Sequence, residues 1–580
     1  MLTYDLSQRG DESLYEYLYL CIRADIENGS IPAGRRLPSK RALAKHLGVS
    51  LITVEGAYSQ LVAEGYVRAE ARRGYYACDL EVRPTHLGQG LGPSVPASQS
   101  TDSYSLVHMA KPAECNSPAQ VGGSAVPGRL ACAGRPAGQN LLAQADRFAG
   151  SGCLAHAGWS AEPSPLTRSD VPADFAHAVH LAEPDQPDYA KQLGAAMHSS
   201  ADSSDRAPLI ADFSTGSLPL DRFPFSSWAK TVREVLSRES EQSLLGDTCA
   251  QGALALRTQL AEYLHSFRGM QVRPEQIVVA AGSQVLDNLI VQLLGRERGY
   301  AVETPGYSRL ASIYRANDAK LAYVPLDDDG ISMPHLRASG VNVAHIMPSH
   351  QFPTGLVTSV ARRYELLAWA SEQPGRYIVE DDYDCEFRLS GRPIPALMSV
   401  DASSCVIYTN TFAKSLGSSF RIAYMVLPLS LVDAYQEKLG FYSSTVSATE
   451  QLALARFIST GEYERHVART RSYYRSLKNE LVDALRSCPV ADRIQTEATE
   501  AGLHFLMHVD VPGPTEALLQ AARARGVILS PLSAFCAPGQ ALASGLDGTY
   551  VMNFAGLASN QVRPAAAAIA QAVQDALGER

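Results

Sequence analysis

The sequence lacks the features that mark several classes of protein. Its ten cysteines are scattered without a C-x-x-C pair, so we expect neither a disulfide framework nor a structural zinc site, as is usual in a reducing compartment. No stretch offers eighteen uninterrupted apolar residues, and the N-terminal run MLTYDLSQRGDESLYEYL carries acids where a signal peptide needs bases. We therefore expect a soluble, cytoplasmic protein with no membrane partner.

An excess of positive charge is also missing. The formal net charge is −9 and the isoelectric point is about 5.9, so no global positive field draws the protein to nucleic acid. Any such binding must come from a local patch. The length of 580 residues exceeds what one hydrophobic core supports and predicts two or three domains.

Three stretches of different composition divide the chain. Residues 1–78 are compact and periodic, whereas residues 79–207 are rich in Ala, Ser, Pro and Gly with few aromatics. Such a segment cannot bury enough apolar surface to fold, which predicts a mostly disordered linker. In residues 208–580 short β-branched runs such as IVVAA and CVIYT alternate with helical patterns. This alternation predicts an α/β domain with a mostly parallel sheet covered by helices on both faces.

The first stretch contains the pattern of a helix-turn-helix. A helix over 14–28 precedes two shorter ones, for which Ser39 and Ser50 are the predicted N-caps, and Gly48 forms the tight joint. In the later helix the residues at core spacing are Val54, Ala57, Tyr58 and Leu61. The residues left to face outward near its start, where a recognition helix meets base edges, are Ser50, Leu51, Thr53 and Gly56.

Positive charge concentrates around this motif. Between Asn28 and Val54 the chain has no acid and five bases, which are Arg35, Arg36, Lys40, Arg41 and Lys45. The run GYVRAEARRGYYAC then predicts a two-stranded wing with Arg72 and Arg73 at its tip. Together these features predict a phosphate-binding surface on DNA, although a solvated basic face on a structural module has the same charge pattern.

In the last stretch Lys414 stands between the strand-like run CVIYT and a Ser/Gly-rich turn. It is either a solvated surface lysine or a buried amine available to an aldehyde. A pyridoxal phosphate site needs such an amine, a carboxylate for the ring nitrogen and anchors for the phosphate. Asp381 and Tyr383 end the run RYIVEDDYD, and the Gly282-Ser283 turn opens a helix whose amides point at it. Taken singly, an acid-rich strand end is more often a solvated loop, and a lone Gly-Ser turn is weak evidence of a phosphate site.

The order of the motifs is more specific than any one of them. Residues 14–78 resemble the winged helix-turn-helix domain of the GntR family. The series G-S-Q, E-x-P-G-Y, P-S-H-Q-F-P-T-G, E-D-D-Y-D and T-F-A-K-S-L with a later arginine resembles fold-type I aminotransferases from residue 209 to the end. A GntR domain ahead of such a domain is similar to the MocR-like transcription regulators, which include the GabR and PdxR types.

The resemblance implies a role for each matching residue. Lys414 would form the Schiff base with pyridoxal 5'-phosphate, Asp381 would hold the ring nitrogen, Tyr383 would bond the phenolic oxygen and Tyr307 would stack on the ring. The residues implied to grip the phosphate are Gly282, Ser283, Gln284, Thr411 and Arg421. The resemblance further implies a smaller C-terminal subdomain, binding to a double-stranded DNA operator and a homodimer whose DNA domains lie near the partner's large domain.

The sequence departs from these families at four positions. Leu51 and Glu55 stand where GntR domains often have arginines, so base readout should differ and thymine methyls become candidate contacts of Leu51 and Thr53. Phe352 replaces the asparagine that precedes the proline in aminotransferases, which leaves His350 or Gln351 as substitutes. Val551 stands where an arginine would clamp a substrate carboxylate, so that contact falls to Arg309, to another residue that the sequence does not identify, or to none.

These departures favour a regulator that senses pyridoxal phosphate, alone or joined to an amine, with vitamin B6 supply as a possible regulated theme. An effector of the γ-aminobutyrate or taurine type is the competing case. A working aminotransferase with an incidental DNA-binding domain is the alternative function, and a degenerate domain kept for dimerisation is a third.

Overall fold

The computed structural model describes residues 2–4, 13–70, 73–80, 208–216, 222–389, 394–497, 502–543 and 545–578. The predicted linker over 79–207 therefore lies outside the described residues, except for Asp79 and Leu80. Arg72 also lies outside them.

The N-terminal domain is a helix-turn-helix followed by a two-stranded wing. Its elements are α1 (Leu14–Glu27), α2 (Lys40–Leu47), α3 (Leu51–Ala63), β1 (Val67–Glu70) and β2 (Gly74–Ala77). Both predicted caps are present, because Ser39 Oγ accepts a hydrogen bond from the Ala42 amide and Ser50 Oγ accepts one from the Thr53 amide. Gly48 has a φ of 67° between α2 and α3, a conformation that costs glycine nothing.

The strands of the wing pair in antiparallel register, from Val67 opposite Ala77 to Glu70 opposite Gly74. A small core joins the three helices to the wing, and Leu80 packs into it. The predicted inward face of α3 is confirmed, since Val54, Ala57, Tyr58 and Leu61 are all buried.

The second domain is built on an eight-stranded sheet in the order β4-β11-β10-β9-β8-β5-β6-β7. Its strands are β4 (Ile277–Ala280), β5 (Gly299–Thr304), β6 (Lys320–Asp327), β7 (Gly330–Ile331), β8 (Val343–Ile346), β9 (Tyr377–Asp381), β10 (Val406–Thr411) and β11 (Ala423–Val426). The five central strands from β10 to β6 run parallel, and β11 runs against both of its neighbours. The prediction of a mostly parallel sheet is confirmed.

Helices cover this sheet and bury an apolar core on each side of it. They are α4 (Phe225–Arg238), α5 (Glu241–Leu245), α6 (Leu254–Arg268), α7 (Ser283–Leu294), α8 (Ser308–Ala316), α9 (Met333–Ala338), α10 (Val360–Ser371), α11 (Leu429–Leu439) and α12 (Ala448–Ser459).

The chain then forms a smaller C-terminal subdomain, as the sequence predicts. The long helix α13 (Glu462–Arg486) leads into a four-stranded sheet in the order β12-β13-β16-β15, which packs against the remaining helices. These elements are β12 (Ile494–Glu497), β13 (His504–Val509), α14 (Thr515–Ala524), β14 (Val527–Ile528), β15 (Ser530–Pro531), β16 (Thr549–Asn553) and α15 (Val562–Leu577). The short strand β3 (Ala211–Asp212) pairs with β14, so the chain that enters the large domain starts against this subdomain.

The N-terminal domain contacts the start of α10. The Val360 amide donates a hydrogen bond of 3.1 Å to the Glu64 carbonyl, and Val360 and Tyr364 pack into the core of the N-terminal domain. Among the described residues, no helix combines the length and the hydropathy that a bilayer crossing requires.

Candidate functional site

Several predicted site residues meet at one edge of the large sheet. Because β4, β9 and β10 point the same way, their carboxyl ends lie together. Gly282, Asp381 and Thr411 are at or just beyond these ends. This is the edge at which open α/β sheets bind ligands.

Lys414 lies in a short 3-10 turn directly after β10. The Thr411 hydroxyl fixes this turn by accepting a hydrogen bond of 3.2 Å from the Ala413 amide. The Lys414 amine is 3.5 Å from the Gly216 carbonyl, and a Cβ at position 216 would stand 2.7 Å from it. Burial lowers the pKa of Lys414, with Asp384 acting in the opposite sense. Lys414 is thus half-buried rather than fully solvated, and its lowered pKa favours the neutral, nucleophilic amine.

Asp381 is the carboxyl group at the end of β9. Burial raises its pKa to about 7, and the neighbouring Asp382 and Asp384 act in the same direction. His345 Nε2 lies 4.0 Å from Asp381 Oδ2, while its Nδ1 is 2.7 Å from the Tyr314 hydroxyl. Because burial lowers the pKa of His345 to about 3, this imidazole is neutral and leaves Asp381 without a cationic partner there. A protonated ring nitrogen would supply one.

Gly282 and Arg421 form a compact pair at the start of α7. Gly282 has a φ of 93°, and a Cβ there would overlap the Arg421 guanidinium. That guanidinium donates a hydrogen bond of 3.4 Å to the Ala281 carbonyl, and Arg421 itself adopts the left-handed conformation with φ 50°. A cation beside the free amides of a helix N-terminus is suited to a phosphate. Ser283 and Gln284 occupy the first turn of this helix, and Gln284 is exposed.

Aromatic rings line the neighbouring wall. Tyr307 is 37% exposed and packs edge-on against Phe352, with 6.1 Å between ring centroids. Phe352 also meets Tyr383 edge-on at 6.4 Å. Burial raises the pKa of Tyr307, and Arg309, which hydrogen-bonds it, partly offsets that effect. The residues proposed to surround a cofactor ring are thus close to one another.

The two substitutes considered for the missing asparagine behave differently. The Gln351 amide donates to the Pro305 and Phe352 carbonyls at 2.9 Å and 2.8 Å, so it serves the loop itself. His350 Nδ1, in contrast, lies 3.1 Å from the Tyr383 hydroxyl. His350 is therefore the residue that reaches the site.

Val551 is fully buried on β16 and packs against Leu506 and Leu532. An apolar cluster thus occupies the place of the expected carboxylate clamp.

On the N-terminal domain the predicted contact residues lie largely on the surface. Those that are exposed are Arg35, Arg36, Arg41, Ser50, Leu51 and Arg73. Lys40 is less available than predicted, because its amine pairs with Glu55 at 2.7 Å. The outward placement of Gly56 is wrong, since a Cβ there would touch the Tyr15 ring at 3.4 Å. Sequence reasoning also missed Ile52, which is 79% exposed beside Leu51.

The Ser50 and Thr53 hydroxyls lie 2.8 Å apart at the start of α3. Ser50 therefore serves both as the cap of the helix and as part of its outward end.

Comparison with known proteins agrees with this architecture. The family model for aminotransferase class I and II matches residues 210–569, and the model for bacterial regulatory proteins of the gntR family matches residues 14–76. A multiple substrate aminotransferase from Thermococcus profundus superposes with a TM-score of 0.56 at 24% identity, over 68% of this chain and 97% of that one. At that identity the likeness concerns the fold.

Two relatives match most of the length of this chain. The uncharacterized HTH-type transcriptional regulator YhdI of Bacillus subtilis is 31% identical over 91% of this chain and 90% of its own. The probable rhizopine catabolism regulatory protein MocR of Rhizobium meliloti is 28% identical over 91% of this chain and 88% of its own. The chain belongs to the aminotransferase class I and II family, with a gntR-type DNA-binding domain ahead of it. It is a MocR-type transcription regulator, and its large domain implies pyridoxal phosphate as cofactor.

Proposed function

We propose that the regulator senses pyridoxal phosphate at Lys414 and converts its binding into a change of operator affinity. The observation that carries this proposal is the presence, at one edge of the sheet, of a Lys414 amine whose pKa burial lowers and of the Asp381 carboxyl, whose neighbour His345 at 4.0 Å is neutral. Pyridoxal phosphate would offer an aldehyde to the Lys414 amine and a protonated ring nitrogen to the Asp381 carboxyl. The sensing role rests on the DNA-binding domain that precedes this site.

When bound, pyridoxal phosphate supplies an aldehyde and an electron-accepting ring. In the proposed site Lys414 would supply the amine that holds the aldehyde carbon, with the aldehyde oxygen leaving as water, and the Asp381 carboxylate would keep the ring nitrogen protonated. Arg421, Thr411 and the first turn of α7, with Gly282, Ser283 and Gln284, would hold the phosphate. Tyr383 would donate a hydrogen bond to the phenolic oxygen, and Tyr307 would cover the ring.

The apolar packing of Val551 favours the cofactor itself as the signal. A neutral side chain cannot form the two parallel hydrogen bonds that an arginine gives to a carboxylate. Loss of such a charge-assisted contact costs about 1.5–3 kcal/mol, so an amino acid should bind about ten- to a hundredfold more weakly. Arg309, which already contacts Tyr307, is the candidate for residual carboxylate binding.

DNA binding is assigned to the exposed bases and to α3. Arg35, Arg36, Arg41 and Arg73 contact phosphates in this proposal, and Arg72, which lies outside the described residues, is assigned to the same role from the sequence alone. The outward end of α3 presents Ser50, Leu51 and Thr53 to base edges, with Leu51 suited to thymine methyls. Lys40 contributes after release from Glu55.

A second function, amino-group transfer, is favoured by one feature. The lowered pKa of Lys414 also suits a base that moves a proton, as an aminotransferase requires. Multiple turnovers with an amine donor and a keto acid would establish this function. Absence of turnover with intact cofactor binding would leave sensing alone.

We also propose a homodimer. Large apolar side chains are exposed on the described part of the large domain, including Phe225, Leu245, Leu254, Phe441 and Tyr442. Their burial against a second copy would remove them from water. Sedimentation should show a dimer that Phe441→Glu weakens, whereas an unchanged monomer would contradict this proposal.

The decisive experiment combines absorbance with DNA binding. An operator is first selected from a random duplex library, and its affinity is measured with and without pyridoxal phosphate. The wild type should acquire the absorbance of a lysine-bound cofactor and change operator affinity, and Lys414→Ala should do neither. Lys230→Ala, an exposed lysine 3.9 Å from Glu234, is the matched control. Cofactor binding with no change in operator affinity would refute the sensing role.

A further inference from the structure

His350 is buried beside Tyr383 and is held from two sides. Its Nδ1 lies 2.9 Å from Asp384 Oδ2 and 3.1 Å from the Tyr383 hydroxyl, and it is 4% exposed. On its other side the backbone of Gly502, at φ 71°, comes so close that a Cβ there would overlap the imidazole. Any side chain at position 502 would therefore displace the ring.

The proton positions follow from hydrogen-bonding chemistry. A carboxylate only accepts, so the proton between His350 and Asp384 belongs on Nδ1. His350 Nε2 is buried and has no hydrogen-bond partner in the described structure. His350 thus donates through Nδ1 alone, toward Asp384 and the Tyr383 oxygen.

This arrangement frees the Tyr383 proton. Tyr383 also hydrogen-bonds Asp384. Without His350, the Tyr383 hydroxyl would have to donate to the Asp384 carboxylate. The Nδ1–H of His350 satisfies Asp384 in its place. Tyr383 can then turn its O–H toward a ligand without leaving a buried carboxylate unpaired, a loss that would be costly.

We propose that His350 is a positioning residue that directs the Tyr383 proton to the phenolic oxygen of the cofactor. It thereby performs part of the work of the asparagine that Phe352 replaces. This inference rests on the proposed binding of pyridoxal phosphate at Lys414. It adds a named role for a side chain that acts through Tyr383 without touching the ring.

The same cluster has the composition of a metal site. His350, Asp384 and His504 place ligand atoms within 4.8 Å of one another. Here, however, Asp384 and His350 Nδ1 already satisfy each other. Burial, His350 and Lys414 together lower the pKa of His504, so this direction does not decide between the two roles. The contacts therefore favour the positioning role, and the test includes a metal arm.

The test follows the pKa of the lysine-bound cofactor by its absorbance. Loss of a donor to the phenolic oxygen makes that oxygen more basic, so it should hold the proton shared with the lysine nitrogen more tightly. Tyr383→Phe should raise this pKa by about one unit, since a hydrogen bond to a charged group has roughly that worth. His350→Leu should raise it by a smaller amount in the same direction.

His350→Asn provides the rescue, because its amide can donate from nearly the position of Nδ1. It should restore a pKa close to the wild-type value, which a purely structural role of His350 does not predict. His508→Leu, on the same strand as His504, is the control. Circular dichroism confirms that each variant is folded, and the comparison of Leu with Asn at one position remains valid if both lose some stability.

Three results would overturn the inference. With the cofactor bound in every variant, an unchanged pKa in His350→Leu would show that Tyr383 needs no such partner. A stoichiometric response to Zn²⁺ alone, lost in His504→Gln, would make the cluster a cation site. If the wild type gains no absorbance that depends on Lys414, the proposed cofactor binding fails first, and this inference fails with it.

Discussion

The two domains place their functional side chains in opposite surroundings. In the N-terminal domain Arg35, Arg36 and Arg41 stand on the surface, where long-range attraction to phosphates operates and salt screens it. In the large domain Asp381 and Lys414 lie in a partly buried site whose burial displaces their pKa values toward the uncharged forms.

The two domains should therefore recognise charged ligands in different ways. The DNA-binding surface keeps its charges in water, so each contact is weak, additive and salt-dependent. The proposed cofactor site holds its groups where a charged ligand would pair with them, so each contact should be strong and specific. Substitutions should therefore have larger effects in the second domain than in the first.

The largest effect is expected for Asp381→Asn. An amide cannot supply the negative charge that a protonated ring nitrogen requires, so affinity for pyridoxal phosphate should fall about ten- to a hundredfold. Absorbance titration measures it. Asp575→Asn, an exposed carboxylate paired with Arg525, should leave the affinity unchanged. Equal affinities of Asp381→Asn and the wild type would remove the contrast between the domains.

Glu303 extends the same contrast to stability. It is 6% exposed, accepts a hydrogen bond of 3.2 Å from the Met347 amide, and burial raises its pKa to about 8. In the unfolded chain Glu303 has its ordinary pKa of 4.5, so between pH 4.5 and about 8 the folded protein holds a proton that the unfolded chain has released. The contribution of Glu303 to the free energy of unfolding is fully present below pH 4.5 and is lost as the pH rises toward 8, at up to about 1.4 kcal/mol per pH unit.

Glu303→Gln should remove this component of the pH dependence. Urea midpoints of the cofactor-free protein at pH 5, 6, 7 and 8 measure it as the difference from the wild type. The difference is needed because Asp381, with a pKa near 7, contributes with the same sign. The exposed Glu437→Gln should run parallel to the wild type. A Glu303→Gln curve parallel to the wild type would show that Glu303 ionises normally.

Local patterns predicted the scaffold well for physical reasons. The helix-turn-helix is predicted from Ser39, Gly48 and Ser50, because helix caps and left-handed turns depend on a few adjacent residues. The strands before Asp381 and Lys414 read as β-branched runs, and parallel strands bring their ends together. The resemblance to known families then assigned roles that spacing alone left open.

What the sequence did not predict depends on approaches between distant segments. Gly56 looks outward by helical spacing, yet Tyr15 of α1 covers it. The pairing of Lys40 with Glu55 joins residues on two helices. His350, which contacts Tyr383, also lies against the backbone of Gly502, which is far along the chain and where any side chain would overlap the imidazole. None of these contacts leaves a local signal.

On the exposed surface, phosphate and base contacts should separate by their salt dependence. Arg41→Ala should lower operator affinity and reduce the slope of log K against log salt by about 0.9, with sequence preference unchanged. Ile52→Ala, at the 79% exposed position, should keep the slope and change the preferred bases. Selection and salt titration of both variants, beside Arg238→Ala, measure the two effects. A changed slope for Ile52→Ala would show that it alters docking.

The smallest effect concerns the ion pair between Lys40 and Glu55. Their atoms are 2.7 Å apart, and the Glu55 side chain is 54% exposed, so the pair itself contributes only about 0.2–1 kcal/mol. Glu55→Gln frees the Lys40 amine and removes a negative charge from the helix that faces DNA. Operator affinity should rise about two- to fivefold at low salt, which in free energy is of the same order as the contribution of the ion pair. The gain should vanish at high salt.

Glu55 has one alternative role, which the same measurement identifies. A carboxylate on a recognition helix can accept a hydrogen bond from the amino group of cytosine. In that case Glu55→Gln would lose affinity at operators with cytosine at the contacted position, and the loss would persist at high salt. Lys40→Gln separates the cases further, since it should weaken binding only if the released amine reaches a phosphate. A salt-dependent gain with Glu55→Gln would place this residue among the charges that tune docking, as the exposure of the whole surface suggests.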